Sequence, residues 1–267
     1  PLLACLLLTG IHVYFGIHVL ERKIVFVDLA LAQIAALGAA TVLLIGQDFH
    51  SPAAYWLSLG AVLVGAFVIS LTRARKSKIS QEAFIGIIYV VAAAASLLVL
   101  SRSGEGDEEL RHMLTGNILL VDLTEIVRTA LLYLGVGIFH WCFRKRFILI
   151  SLHPAEAFQR GIRVWLWDFL FYLTFGLVVV SSVKMAGVFL VFSFLIIPST
   201  MASLFAEKIS SRLFLGWGLG TAISLGGIAL SYFADLPTGV TVVCTFGVIL
   251  ALLFIFRLLA RRSGPRS

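Results

Sequence analysis

Asp28, in IVFVDLALAQIAALG, lies about one turn inside a long apolar run, and Gln33 follows at i+5, about 140° further round a helix. A charge inside a membrane span costs at least about 2.5 kcal/mol, so an acid there is a functional candidate from the outset. Glu82, in KISQEAFIGIIY, is the second such acid. Its position in a helix's first turn, after a Ser80 N-cap, is accounted for equally well by the helix macrodipole. Acids so placed would line a pathway through the membrane, as in a channel or a carrier. GIHVYFGIHVL adds His12, Tyr14 and His18. Tyr14 and His18 share a face, whereas His12 lies about 240° from His18, so the two histidines are not a chelating pair on one face. Each imidazole has two readings, a hydrogen bond to a neighbouring helix or a ligand role. His140 beside Trp141, and Asp168 among aromatic residues, read as interfacial anchors. Glu125 and Arg128, at i,i+3, read as a pair.

Other chemistries lack their residues. The sequence holds no HExxH and no pair of histidines at i,i+4, which removes a zincin-like protease; it has no GxSxG elbow, and no lysine follows a glycine, which removes a Walker A loop. The chain is therefore expected not to be an enzyme, and any ATP hydrolysis belongs to a partner. Gly104–Asp107 spells GxGD, but in a polar segment rather than a span, so an intramembrane aspartyl protease is set aside. Cys5, Cys142 and Cys244 sit in apolar runs without CxxC spacing and read as packing residues.

The elements that must position Asp28 and Glu82 are membrane spans. The chain is 60% hydrophobic and 13% charged, with a mean hydropathy of +1.02, against an apolar share of about 45–50% in soluble domains. Its net charge of +7 comes from short basic clusters between apolar runs, which is the pattern of loops beside anionic lipid rather than of a nucleic-acid surface. Apolar runs near 2–20, 24–46, 53–71, 83–100, 123–143, 164–183, 186–205, 213–233 and 238–258 give eight or nine spans, the doubt resting on 53–71 and on the pair around Lys184. With the N-terminus outside, 17 of the 21 basic residues face the cytoplasm, leaving Arg102, Arg111, Arg128 and Lys184 outside. The segment 101–122 is then an outer loop carrying Asp107, Glu108, Glu109 and His112, read as solvated. The chain opens at Pro1 rather than Met, so a few preceding residues are expected to be missing. The fold expected is an all-α integral membrane bundle, one transmembrane domain over 1–267.

Two segments stand out within that bundle. About 164–205 forms a bent apolar hairpin, broken at Gly187 and kinked at Pro198, whose lost donor, with Ser193, Ser199 and Thr200 nearby, leaves polar groups for a wet pathway. Before it, HPAEAFQRGIR reads as a short cytoplasmic helix over about 153–162, with Pro154 at its start, Glu156 in its first turn and Gly161 as its stop. An interfacial helix and a docking helix both fit it.

The order and spacing of GIHVYFGIHVLERKIVFVDLALAQIAALG, KISQEAFIGIIYVV, LTGNILLVD, HPAEAFQRGIRVWLWD and VKMAGVFLVFSFLIIPSTMASLFA resemble the permease subunits of zinc, manganese and iron ABC importers, the ZnuB-like family. The resemblance implies a bacterial inner-membrane permease that pairs with a second permease copy in the bilayer. It also implies metal delivered by an extracytoplasmic metal-binding protein and two copies of a cytoplasmic ATP-binding subunit. Glu156, Ala157 and Gly161 then correspond to the coupling-helix motif that engages the ATPase. Alternation of access would act through the bent hairpin, with Gly187 and Pro198 either as gating positions or as a break and a kink that only shape packing. Family members carry an Asp followed four residues later by a His in the second span; Asp28 matches the Asp, but Ala32 stands at the His position with Gln33 beside it. Asp28, Glu82 and Gln33 would supply oxygen ligands, and His18 from the first span would restore an imidazole. No permanent cofactor is implied, only the transported zinc, manganese or iron. A permease for a metal chelate or siderophore is the alternative, with few polar residues to line so wide a path, and a non-transport redox subunit would need paired axial histidines.

Overall fold

The structure, a computed structural model, describes residues 1–48, 51–73, 79–101, 113–116 and 118–262, with side chains to residue 259. The GxGD string, the Asp107–Glu109 run, His112, Arg102, Arg111, Arg75, Lys76, Lys78 and Arg266 lie outside the described residues. Eleven helices can be bounded among the described residues: α1 Leu2–Arg22, α2 Val27–Leu44, α3 Pro52–Leu71, α4 Gln81–Leu100, α5 Leu123–Cys142, α6 Arg144–Leu152, α7 Pro154–Gln159, α8 Val164–Ala186, α9 Val188–Phe205, α10 Ile209–Ala234 and α11 Thr238–Arg262. All but α6 and α7 are long and apolar enough to cross a bilayer, which makes nine spans among the described residues.

The question at Lys184 resolves in favour of two full spans. On α8, Asp168 meets Arg22 at the end of α1 and Ser182 meets His12 near its middle. On α9 the order reverses: Ser199 reaches Val13, and Arg212, bonded to the Ala206 carbonyl, also bonds Glu21. The chain therefore runs out along α8 and back along α9. At 18 residues, α9 is about 27 Å long, close to the bilayer's apolar thickness. Arg22, Arg73 and Arg212 converge by these contacts on one end of the bundle, as the positive-inside pattern requires.

The break is made of two glycines. Gly187 has φ 78° and ψ 160°, a conformation open essentially to glycine alone. A Cβ there would lie 2.4 Å from the Gly116 nitrogen, and one on Gly116 would lie 2.2 Å from the Ala186 carbonyl carbon. Elsewhere small residues allow backbones to meet. A Cβ on Gly16 would lie 1.9 Å from the Leu195 oxygen, so α1 and α9 are in backbone contact. Ser58 donates to the Ala35 carbonyl at 2.7 Å across α2 and α3. Where helices pack without a hydrophobic driving force, such small-residue contacts and interhelical hydrogen bonds select the partner.

Several expectations change on inspection of the packing. His140 and Asp168 are not interfacial anchors, for they are 2% and 0% exposed and fully engaged in polar contacts. The exposed aromatic side chains beside them are Trp141, 68% exposed with Arg144 over its ring, and Trp165. Glu125 pairs with Lys184 at 3.7 Å, fastening the start of α5 to the end of α8. Only Cys5 is a packing residue, Cys142 and Cys244 being exposed on their spans. Two of the three hydroxyls expected beside a wet pathway are buried and bond within α9: Ser193 donates to Phe189 O, and Ser199 to Leu195 O at 2.8 Å. Pro198 is buried against α10, where a Cβ on Gly220 would lie 3.4 Å from its ring. The helix α6 was not legible as an element, because its basic first turn and its apolar remainder each resemble the end of a neighbouring segment.

Candidate functional site

The turn from Lys23 to Phe26 joins α1 to α2, and it closes because Lys23 adopts the left-handed conformation, φ 57°, with the Lys23 N–H donating to Leu20 O at 3.1 Å and the Ile24 N–H to Val19 O at 3.2 Å. Asp28 falls in the first turn of α2, where the helix's partial positive charge offsets part of the cost of a buried anion. It is 1% exposed, and its Oδ1 has no hydrogen-bond partner. Glu82 lies in the first turn of α4, whose N-cap Ser80 accepts from the Ala83 N–H at 3.3 Å. Its Oε1 accepts from the Phe26 N–H at 3.1 Å, so a carboxylate of α4 satisfies an orphan donor at the start of α2, and its Oε2 is buried without a partner. The sequence thus brings Glu82 to the beginning of the helix that carries Asp28. Asp28 Oδ1 and Glu82 Oε2 are thus both buried and unpartnered. Gln33, 6% exposed, lies one and a half turns further along α2.

His18 belongs to a different neighbourhood. Its Nδ1 lies 2.8 Å from Ser151 Oγ on α6, it meets Tyr14 edge-on at 4.7 Å, and its buried Nε2 has no partner. Among the described residues, no three of His, Cys, Asp and Glu come together as a metal-binding group. Asp28 Oδ1 and Glu82 Oε2 are the buried, unpartnered carboxylate oxygens near the start of α2.

Two buried polar chains bear out the reading of His12 as a hydrogen-bonding partner of a neighbouring helix, with partners the sequence did not name. Tyr133 Oη and Ser182 Oγ are 2.5 Å apart, and Ser182 Oγ is 3.2 Å from His12 Nε2, whose Nδ1 donates to the Leu8 carbonyl at 2.9 Å. Tyr14 Oη is 3.0 Å from His140 Nδ1, and His140 Nε2 is 2.8 Å from Thr174 Oγ1. Both chains tie α1, α5 and α8 together. The only signal for them in the sequence was a polar residue in each of several otherwise apolar runs.

At the basic end, α7 shows its six residues as Pro154–Gln159. Ala157 is fully buried, which seats the helix on the bundle, while Arg160 and Glu156 form an exposed i,i+4 pair at 2.5 Å. Gly161 ends the segment at φ 69°.

Nine candidate spans among the described residues, a buried acid with an unpartnered oxygen and a short helix seated on the basic end describe a polytopic membrane protein. Residues 1–260 match the ABC 3 transport family, and the chain belongs to that family. It is 26% identical over 248 residues to the manganese transport system membrane protein MntC of Halalkalibacterium halodurans, covering 90% of this chain and 80% of that one. It is 25% identical over 245 residues to the manganese import system permease protein ScaB of Streptococcus gordonii, covering 90% and 84%. The fold is shared with PsaBC from Streptococcus pneumoniae, solved in complex with a Fab, at a TM-score of 0.75 and 23% identity over 95% of this chain and 89% of that one.

Proposed function

We propose that this chain is the permease subunit of an ABC importer that moves a divalent metal cation into the cytoplasm of a bacterium. Two copies surround the pathway, an extracytoplasmic binding protein delivers the ion, and two cytoplasmic ATPase subunits drive the cycle from partner chains. The observation that carries this reading is Asp28, a buried acid with a free oxygen in the second span of an ABC 3 family member. An anion so placed is costly empty and is stabilised by a cation.

Asp28 and Glu82 bind and hand on the ion, with Gln33 as a further oxygen donor along α2 and His18 as the candidate imidazole from α1. The donor set is rich in oxygen, and Ala32 stands where an imidazole would bias the site towards zinc, which favours manganese or iron. The names of the manganese relatives agree with that preference. Exposed Glu156 and Arg160 on α7 meet the ATPase, with Ala157 as the buried foot of that helix and Gly161 as its stop. Gly187 and Pro198 mark the two places where the α8–α9 hairpin can re-aim. ATP-dependent uptake of radioactive manganese, with unlabelled zinc and iron as competitors, tests the assignment. Manganese uptake that excess zinc suppresses less than excess manganese does supports it, and absence of uptake of all three metals contradicts it.

A further inference from the structure

Arg22, Arg73 and Asp168 form a buried charge cluster that the metal pathway does not use. Arg22 Nη1 donates to Asp168 Oδ1 at 2.6 Å, both side chains being fully buried. Arg73 Nη1 donates to both Asp168 oxygens at 3.2 Å. The same two arginines grip the last turn of α6: Arg73 Nη2 donates to the Ile150 carbonyl at 3.0 Å, and Arg22 Nε to Ser151 Oγ at 2.9 Å. That turn ends in carbonyls left without helical partners and in the negative end of the macrodipole, so two guanidinium groups suit it. Arg22 also lies over the Phe171 ring at 3.9 Å.

We propose that this cluster is the node through which displacement of α7 by the ATPase reaches α1, α3 and α8, with Arg73 and Asp168 as positioning residues for transport. The inference rests on the reading of the chain as an ATP-driven permease. A single residue, His153, separates α6 from α7, so a push on α7 is delivered to the turn that the arginines hold. From there the contacts fan out to the end of α1 through Arg22, to the residue after α3's cap through Arg73, and to the first turns of α8 through Asp168. Stability alone is a poor reason for such a cluster, because well-packed apolar side chains often hold a fold as firmly as buried ions do. Two guanidinium groups face one carboxylate, leaving one surplus positive charge. Directional, charge-dependent contacts of this kind favour discrete arrangements over gradual deformation.

The test uses the permease assembled with its own ATPase and binding protein in proteoliposomes. Arg73→Gln removes the surplus charge and leaves the neutral Arg22–Asp168 pair, so the complex is expected to assemble. Basal ATP hydrolysis per complex is expected to stay within about twofold of wild type. Stimulation of hydrolysis by the manganese-loaded binding protein, and manganese taken up per ATP, are each expected to fall at least about fivefold. Unchanged stimulation and uptake per ATP overturn the proposal, and so does an equal loss of basal and stimulated hydrolysis, which marks a purely structural role. If Arg73→Gln does not assemble, Arg73→Lys keeps the charge but not the two-armed fork, and the same readouts decide. A wild-type complex that is stimulated yet moves no divalent metal counts against the transport reading and leaves the hydrolysis ratio to judge the node.

Discussion

At the scale of the residue, the useful contrast is between acids that are spent and acids that are not. Asp168 has two arginine partners, whereas Asp28 is equally buried and keeps a free oxygen. Asp28→Asn removes an uncompensated anion, so the variant is expected to unfold thermally no earlier than wild type in metal-free buffer while losing uptake. A large drop in melting temperature would instead mark Asp28 as a structural ion. His18→Ala separates the two readings of that imidazole. As a ligand, His18 would take most of the uptake with it; wild-type uptake in the variant would reduce its role to the Ser151 contact. Ala32→His places an imidazole one turn beyond Asp28, at i+4 on the same face. It is expected to raise zinc uptake relative to manganese, and an unchanged ratio would argue that this face of α2 does not meet the ion.

At the scale of the element, the α8–α9 hairpin depends on Gly187 and Gly116 fitting against each other. Gly187→Ala forces a side chain into a glycine-only conformation and into the Gly116 backbone. It is expected to cost at least about 1–3 kcal/mol, read as a lowered unfolding midpoint in detergent. Eight or nine spans were expected and nine are found among the described residues; these, the hairpin and the short helix before it were legible because each breaks or bounds a run of apolar residues. What was not legible is partnership. Asp168 and His140 looked like anchors because aromatic neighbours are common at interfaces. Arg22, which neutralises Asp168, lies 146 residues away, and nothing local announces it. Likewise Glu125 finds Lys184 only because α5 and α8 are neighbours in space. Glu82 as a cap for α2 was half legible: its first-turn position was clear, but the donor it serves belongs to another helix.

At the scale of the whole molecule, the charge asymmetry and the seated helix α7 fit a chain that is one part of a larger machine. The permease is expected to copurify with an ATPase subunit, and Glu156→Lys on the exposed side of α7 is expected to weaken that copurification without disturbing the permease's own melting, because the Glu156–Arg160 pair is solvent-exposed and worth little to the fold. The central claim is that Asp28 carries a divalent cation along the pathway of this permease. Its most direct measurement is ATP-dependent manganese accumulation by the assembled complex, wild type beside Asp28→Asn, at matched amounts of complex. The account predicts accumulation by wild type and a loss of at least about tenfold in the variant. Accumulation by Asp28→Asn at the wild-type rate would contradict it.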